Sequence, residues 1–328
     1  MRIARRDFFN VALFGGFYCG VAGYGAKEAE FRKSPVLQPT ITNHNDSGQG
    51  IIHEGKTLLI SITFDADVEQ ISGSLPVDLL TSGKERLIEP QPLFFYPAGN
   101  RRTFRAILSA PLDALDGQQT LLKFAATIGS TTREWGSPYR IERGNYRASS
   151  FTVNKNFSSP SPEIVAQMRR DFEVTAQIYR RRNPRQWQEP FQLPVSSSSR
   201  HNFGDRRTVN GTKRYRHAGL DFTSPIGTPV RAINSGIVVF SGEQWTPGQT
   251  ICLDHGGGIF SKYMHLSERL VSEGEAVKRG QVIATTGRSG GQKPGPHLHL
   301  DMVINGSHVD PVDFFRTALR LLTLETAG

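Results

Sequence analysis

GPHLHLDMVINGSHVDP (295–311) carries two histidines, His297 and His299, one residue apart. Read as a β-strand, this stretch points both imidazoles to the same face. Their Cβ atoms then lie roughly 6–7 Å apart, given a rise of about 3.3 Å per residue. One of them can bind a metal while the other stands beside it and faces the same cleft. A lone His-x-His motif means little, so its reading depends on what the rest of the chain offers.

Working outward, His217-Ala-Gly-Leu-Asp221 and Tyr263-Met-His265-Leu supply two further elements, and five of the nine histidines fall between residues 217 and 299. Zinc favours imidazole and carboxylate, and a catalytic zinc takes three protein ligands and leaves one position open. Two histidines and Asp221 meet that count and leave two histidines for acid–base or charge-stabilising work. His201, His255 in DHGGG and His308 in NGSHVD read as loop histidines without a catalytic part, and His44 and His53 as isolated surface residues.

From Phe191 onward the pattern is β with Gly-rich turns. GTPVRAINSGIVVFSG (227–242), QTICLDHGGGIFSKYMHL (249–266) and VKRGQVIATTG (277–287) read as strand–turn–strand units. A short helix is expected near Phe314 to Leu322. Upstream, TLLISITF (57–64), PLFFYPA (92–98), RTFRAILSA (102–110) and QTLLKFAATIG (119–129) are apolar or alternating runs punctuated by Gly, Pro, Asn and Asp. Their spacing predicts an immunoglobulin-like β-sandwich. That region holds no acid–base cluster, so the chemistry is expected to run without it. Between the two regions a helix is expected from Pro162 to about Arg182, with Ser161 as its cap. Ile164, Met168, Phe172 and Ala176 form its apolar stripe, expected to pack between the domains. The fold class is therefore mainly all-β. The expected divisions are an export segment (1–25), a β-sandwich (36–153), a linker and helix (154–190), an antiparallel β-sheet domain that carries the histidine elements (191–316) and a C-terminal tail (317–328).

The totals agree with an exported globular chain. Its 328 residues and 37% hydrophobic content suffice for two ordinary cores. The formal charge of +9 suits an anionic wall polymer or membrane surface, and no aromatic-plus-basic motif points to nucleic acid. Arg2, Arg5 and Arg6 precede an apolar stretch over residues 11 to 26 that is short and Gly-rich for a membrane span. Arg5-Arg6-Asp7-Phe8-Phe9 resembles a twin-arginine export signal. Gly23 and Gly25 offer small residues for cleavage; a retained N-terminus anchoring the chain to the membrane is the alternative. Cys19 falls in that stretch, and Cys252 reads as a small buried hydrophobe.

FGDRR (203–207), HAGLDFTSPIGTPVRAINSGIVV (217–239), DHGGGIFSKYMHLS (254–267), EGEAVKRGQVIATTGRSG (273–290) and GPHLHLDMVINGSHVDP (295–311) together resemble the lysostaphin-type (LytM-like) zinc metallopeptidases of bacterial cell walls. The upstream sandwich and helix are similar, more loosely, to an accessory arrangement of Gram-negative members. The resemblance implies that His217, Asp221 and His299 are zinc ligands and that His265 and His297 are the catalytic pair. It also implies an all-β core with the metal at the floor of a groove across one sheet. The implied activity is hydrolysis of peptidoglycan stem peptides by one zinc per chain, in the periplasm or cell envelope. Which of the two catalytic histidines is the base stays open, as do the bond cut, the oligomeric state and the part played by the sandwich in wall binding, docking or covering the groove. Asp301, where the family often has Glu, and Pro294-Gly295, where Thr-Gly or Ser-Gly is common, bear on substrate fit.

Three other readings compete. A regulator of the same fold that has lost its ligands is opposed by the presence of all five residues. A biotinyl or lipoyl carrier needs an exposed lysine in a tight turn, whereas Lys278 sits in a strand-like run. A phosphocarrier of sugar transport is opposed by Asp221 and the export signal.

Overall fold

Strand β3 (Thr57–Thr63) is buried at six of its seven positions, and its alternate residues enter two different cores. Leu58, Ile60 and Ile62 join one hydrophobic cluster, while Leu59 joins another. Leu58, Ile60, Ile62 and Phe64 make one side wholly apolar, while the other carries Thr57, Leu59 and Ser61, which are buried as well.

The computed structural model describes residues 38–44, 50–81, 84–87, 92–152, 159–197, 199–211, 213–291 and 295–327. The expected export segment, Cys19 and Pro294 lie outside the described residues. Strands β1 (Thr40–Asn43), β3, β8 (Thr103–Ser109) and β7 (Phe95–Pro97) form one four-stranded sheet in that order. Strands β2 (Ile51–His53), β10 (Thr131–Glu142), β9 (Gln119–Ile128) and β4 (Gln70–Ser74) form a second. β5 (Asp78–Thr81) pairs with β6 (Lys84–Leu87) as a separate ribbon. Leu122, Phe124 and Ala126 alternate inward from β9 and meet Leu58, Ile60 and Leu108 from the other sheet. Strand β10, which no apolar run announces, pairs with β9 over ten residues.

β11 (Ala148–Phe151) leaves the sandwich and pairs in parallel with β12 (Arg206–Val209), itself antiparallel to β13 (Lys213–Arg216). Helix α1 spans Pro162–Ile178, shorter than expected, with Ser161 at its N-cap. Its predicted stripe does not hold: Phe172 is 71% exposed. A spacing of four residues advances about 400° on a helix, so three such steps carry the stripe about 120° around the axis. The side turned toward the protein carries Ile164, Met168, Asp171 and Thr175 and ends on the buried Ile178. It is held by polar bonds to the C-terminal sheet. Asp171 Oδ2 accepts from Trp245 N–H at 2.8 Å, and Gln244 Nε2 donates to Thr175 Oγ1 at 3.1 Å. The helix is fastened to the C-terminal sheet rather than wedged between domains.

The C-terminal sheet has nine strands. β14 (Gly219–Thr223), β21 (His297–Ile304), β18 (Ile259–Arg269), β17 (Gly248–Gly256), β16 (Gly236–Gln244) and β19 (Ala276–Val277) run in that order. β20 (Val282–Thr286) joins β18 to β15 (Pro229–Arg231), and β22 (Ser307–Val309) closes on β21. Cys252 is buried near Val239 and Phe260, and burial pushes its thiol up to about 12. The chain then ends in helix α2 (Pro311–Thr326), where a short helix and a tail over 317–328 were expected. Asp310 caps it, Pro311 opens its first turn, and Phe314, Ala318 and Leu321 are buried.

Helix α2 joins the two regions. Leu59, Tyr96 and Ile107 of the sandwich share one core with Trp187, Phe191 and Phe314. At its edge Lys56 Nζ meets Asp310 Oδ2 at 2.7 Å, and both N–H and Oγ1 of Thr57 donate to Asp313 Oδ2 at 2.8 Å. The buried Glu54, in the turn before β3, pairs with Arg216 at 2.9 Å, one residue before His217. Trp187, expected in a linker, is fully buried there. Urea unfolding followed by tryptophan fluorescence and by circular dichroism is therefore expected to give one coincident transition. Phe314→Ala should lower stability by about 3–5 kcal/mol. Two separate transitions would contradict the shared core.

Candidate metal centre

Every position of β21 is buried, and its two faces differ in kind. Leu298, Leu300 and Met302 enter the core. His297, His299 and Asp301 take the other face, as the two-residue period of a strand requires. β14 pairs with β21 so that Asp221 lies opposite His299 and Thr223 opposite His297. Gly219 stands opposite Asp301. A Cβ on Gly219 would fall 2.5 Å from both His299 Nε2 and Asp301 Oδ1, so only glycine allows that pair of side chains to lie over the strand.

His265 reaches the same face by breaking the strand's alternation. In β18, Met264 lies opposite His299 and Tyr263 opposite Leu300, so His265 in a regular strand would follow Tyr263 into the core. Its φ is instead 62°, in the left-handed region that costs a non-glycine residue strain. The register shifts just beyond it, between Leu266 and Glu268. Its backbone N–H donates to Pro247 O at 2.9 Å and its Nδ1 to Ser289 O at 3.0 Å. The ring then lies with its centroid 4.9 Å from that of His297 and 6.1 Å from that of His299.

Three atoms converge at one point. His217 Nε2, His299 Nδ1 and Asp221 Oδ1 lie 2.9–3.1 Å from one another. The outer nitrogen of each imidazole is already committed as a donor. His217 Nδ1 donates to the carbonyl of Asn202 at 2.8 Å, and His299 Nε2 to Asp301 Oδ1 at 2.6 Å. In those tautomers two nitrogen lone pairs and a carboxylate oxygen face each other, an arrangement that repels itself unless a cation sits between them. All three residues are buried, so water relieves little of that repulsion. The donor set fits a metal ion that accepts imidazole and carboxylate.

The surroundings reinforce the preference for positive charge. Burial alone would lower the pKa of His299, but Asp301 and Asp221 raise it to about 9; a proton and a metal ion compete for the same position. Burial likewise opposes ionisation of Asp221, yet a proton on the facing nitrogens of His217 and His299 would hold its carboxyl well below the usual range. Asp221 Oδ2 also accepts from Asn202 Nδ2 at 2.8 Å and from Arg207 at 3.2 Å. His297 donates from Nδ1 to Gly295 O at 3.0 Å, placing its basic lone pair on Nε2, 3.8 Å from Asp221 Oδ1.

All five residues expected from the sequence are thus brought to one face. Asn202, Arg207 and Asp301 were not read as parts of the centre. Asp301 is the partner of a candidate ligand rather than a residue of substrate fit. Burial would raise its pKa, but His299, His308 and Lys262 hold it at about 2. His308, read as a loop histidine, comes within 3.7 Å of Asp301 Oδ2. His255 lies apart, bonded to Ser235 O and Ser261 Oγ at 2.7 Å, and burial lowers its pKa to about 4. The His-x-His-x-Asp spacing was the one available signal for Asp301, because a strand sets all three on one face.

A buried two-histidine, one-carboxylate cluster with two further histidines beside it is a candidate metal centre with acid–base groups at hand. Residues 215–311 match the family model described as Peptidase family M23. It is 38% identical over 213 residues to the peptidoglycan DD-endopeptidase ShyA of Vibrio cholerae, covering 61% of this chain and 48% of that protein. To ShyC of the same organism, named likewise, it is 40% identical over 111 residues, covering 34% of this chain and 25% of that protein. The chain therefore spans about half the length of the first relative and a quarter of the second. A Pseudomonas aeruginosa structure described as a peptidase M23 shares the fold, with a TM-score of 0.57 and 23% identity over 82% of this chain and 96% of that one.

Replacing Asp301 by Ala is expected to weaken metal binding by about 10–100-fold, the usual cost of losing the partner of a ligating histidine. Competition with a fluorescent chelator measures it. An unchanged affinity would mean that Asp301 does not orient His299.

Proposed function

We propose that this chain is a zinc-dependent endopeptidase that hydrolyses the peptide cross-links of peptidoglycan, acting in the periplasm or cell envelope. The observation that carries this reading is the convergence of three buried lone-pair donors at one point, with two more imidazoles beside it. His217, Asp221 and His299 would hold the metal. Zinc held there supplies Lewis-acid polarisation of the scissile carbonyl and a nucleophilic water near neutral pH.

The chain's own residues do the rest. Asn202 and Asp301 fix the tautomers of His217 and His299, so that each ligand presents a lone pair without rearrangement. His265 and His297 each anchor Nδ1–H on a carbonyl, which puts the basic atom of both rings on Nε2. One ring can take a proton from the attacking water while the other, protonated, stabilises the developing oxyanion or protonates the leaving amine. The names of ShyA and ShyC support peptidoglycan as the substrate. A direct bond between D-alanine and diaminopimelate fits the Gram-negative character of these relatives. Export rests on the arginine-rich start of the sequence; among the described residues no helix is long and apolar enough to cross a membrane.

Two variants separate ligand from catalyst. His299→Ala should lose zinc and activity together. His297→Ala should keep about one zinc per chain while turnover falls by roughly 10²–10⁴-fold, the usual worth of a positioned acid–base group. Elemental analysis and the rate of cross-link cleavage from purified sacculi provide the two readings. Loss of zinc in His297→Ala would reverse the assignment. Undiminished cleavage by fully metal-stripped protein would remove the metal from the reaction. A chain that binds zinc but releases nothing from sacculi would instead be a regulator of the same fold.

A further inference from the structure

Ser199 bridges to Phe222, and the backbone N–H of Arg200 donates to Asp221 O at 2.8 Å. Residues 199–200 therefore run along the outer edge of β14, against the strand that carries the candidate ligand Asp221. The Arg200 side chain is exposed, and its Nε donates to Thr223 Oγ1 at 2.8 Å. Thr223 shares a face with Asp221, two residues away, and lies opposite His297. The guanidinium is thus fastened on the metal-centre face, beside the histidine proposed to act on the substrate.

Its neighbours leave it a cation. Asp205 is engaged by Arg147 at 3.6 Å and Asp221 by Arg207 at 3.2 Å. Among the described residues Arg200 enters no ion pair, and Nε is the only part of its guanidinium that is bonded. Arg147 also donates to the carbonyl of His201 at 3.0 Å, which ties down the backbone beside Arg200. A guanidinium held by Nε keeps terminal N–H groups for a carboxylate, the planar partner it matches best.

We propose that Arg200 binds a substrate carboxylate: the one on the carbon that bears the scissile amide nitrogen. The inference rests on the peptidoglycan reading above. In a D-alanine–diaminopimelate cross-link, the amine that forms the amide sits on a carbon that also carries a carboxylate, so every such bond has a negative charge within a few bonds of its nitrogen. The Thr223–His297 pair lies two residues along the strands from the Asp221–His299 pair, about 6–7 Å away. An arginine side chain held at that distance spans the gap between a bond lying over the metal centre and its adjacent carboxylate. Arg200 is then a specificity residue that favours acidic cross-links over amidated ones.

The test uses two cross-linked peptides that differ only at that carboxylate, one free and one amidated. Cleavage is measured with the zinc-loaded chain, and binding with zinc-loaded His297→Ala. The free acid is expected to be preferred by about 10–100-fold, the usual range for a charge-assisted hydrogen bond. Arg200→Ala should erase that preference in both assays with zinc content unchanged, and Arg200→Lys should restore part of it. A preference that survives in Arg200→Ala, or equal handling of the two peptides by the unsubstituted chain, overturns the proposal. Binding that discriminates through Arg200 without cleavage of either peptide would uphold it and overturn the endopeptidase reading.

Discussion

Five residue pairs between β14 and β21 set the centre: Gly219 with Asp301, Asp221 with His299 and Thr223 with His297, alternating with the core pairs of Leu220 and Phe222. A shift of one residue would turn one strand's chemical face into the core and its core face outward. The register is protected because the opposite face is entirely apolar, with Leu220, Phe222, Leu298 and Leu300 all buried. Hydrophobic packing on one side of the sheet thus decides which polar atoms meet on the other. The glycine at 219 belongs to the same constraint, since the His299–Asp301 pair occupies the space of its missing side chain.

Around that pairing the chain spends conformational strain and buried polarity to hold bare donor atoms together. Two imidazole nitrogens and a carboxylate oxygen within 3.1 Å form a poor arrangement for a folded protein taken by itself. It persists because each outer atom is bound: Asn202 holds His217 and Asp221, Asp301 holds His299, and Arg207 takes the second oxygen of Asp221. His265 adds a left-handed backbone, fixed by the carbonyls of Pro247 and Ser289. The Trp245–Pro247 turn is in turn pinned from outside by Asp171 of helix α1. A helix that looks like a spacer therefore reaches the candidate catalytic ring through two hydrogen bonds.

What could be read from the residues followed period and proximity. His297 and His299 were legible because a strand's alternation fixes their common face, and Asp221 because it lies four residues from His217. The place of His265 on that face depends on a broken alternation that no residue type announces. Asn202 was invisible because its contribution to His217 is a backbone carbonyl, which every residue possesses. The stripe on α1 was misread because a spacing of four mimics a helix face only over short lengths. The end of the chain was misread because α2 buries Phe314, Ala318 and Leu321 against partners some 200 residues earlier in the sequence as well as against its own sheet. The second covering of β3 was not announced by its residues, since Thr57, Ser61 and Thr63 on the Leu59 side read as a solvent-facing edge.

The double coverage of β3 also limits how this architecture can be exchanged between proteins. The C-terminal sheet transplanted without its sandwich would arrive with Trp187, Phe191 and Phe314 uncovered, and a sandwich transplanted alone would present Leu59, Tyr96 and Ile107. Each half would carry a sticky patch into its new host. The segment from β3 to α2 therefore behaves as one unit for grafting, and a cut within it exposes apolar surface on both sides.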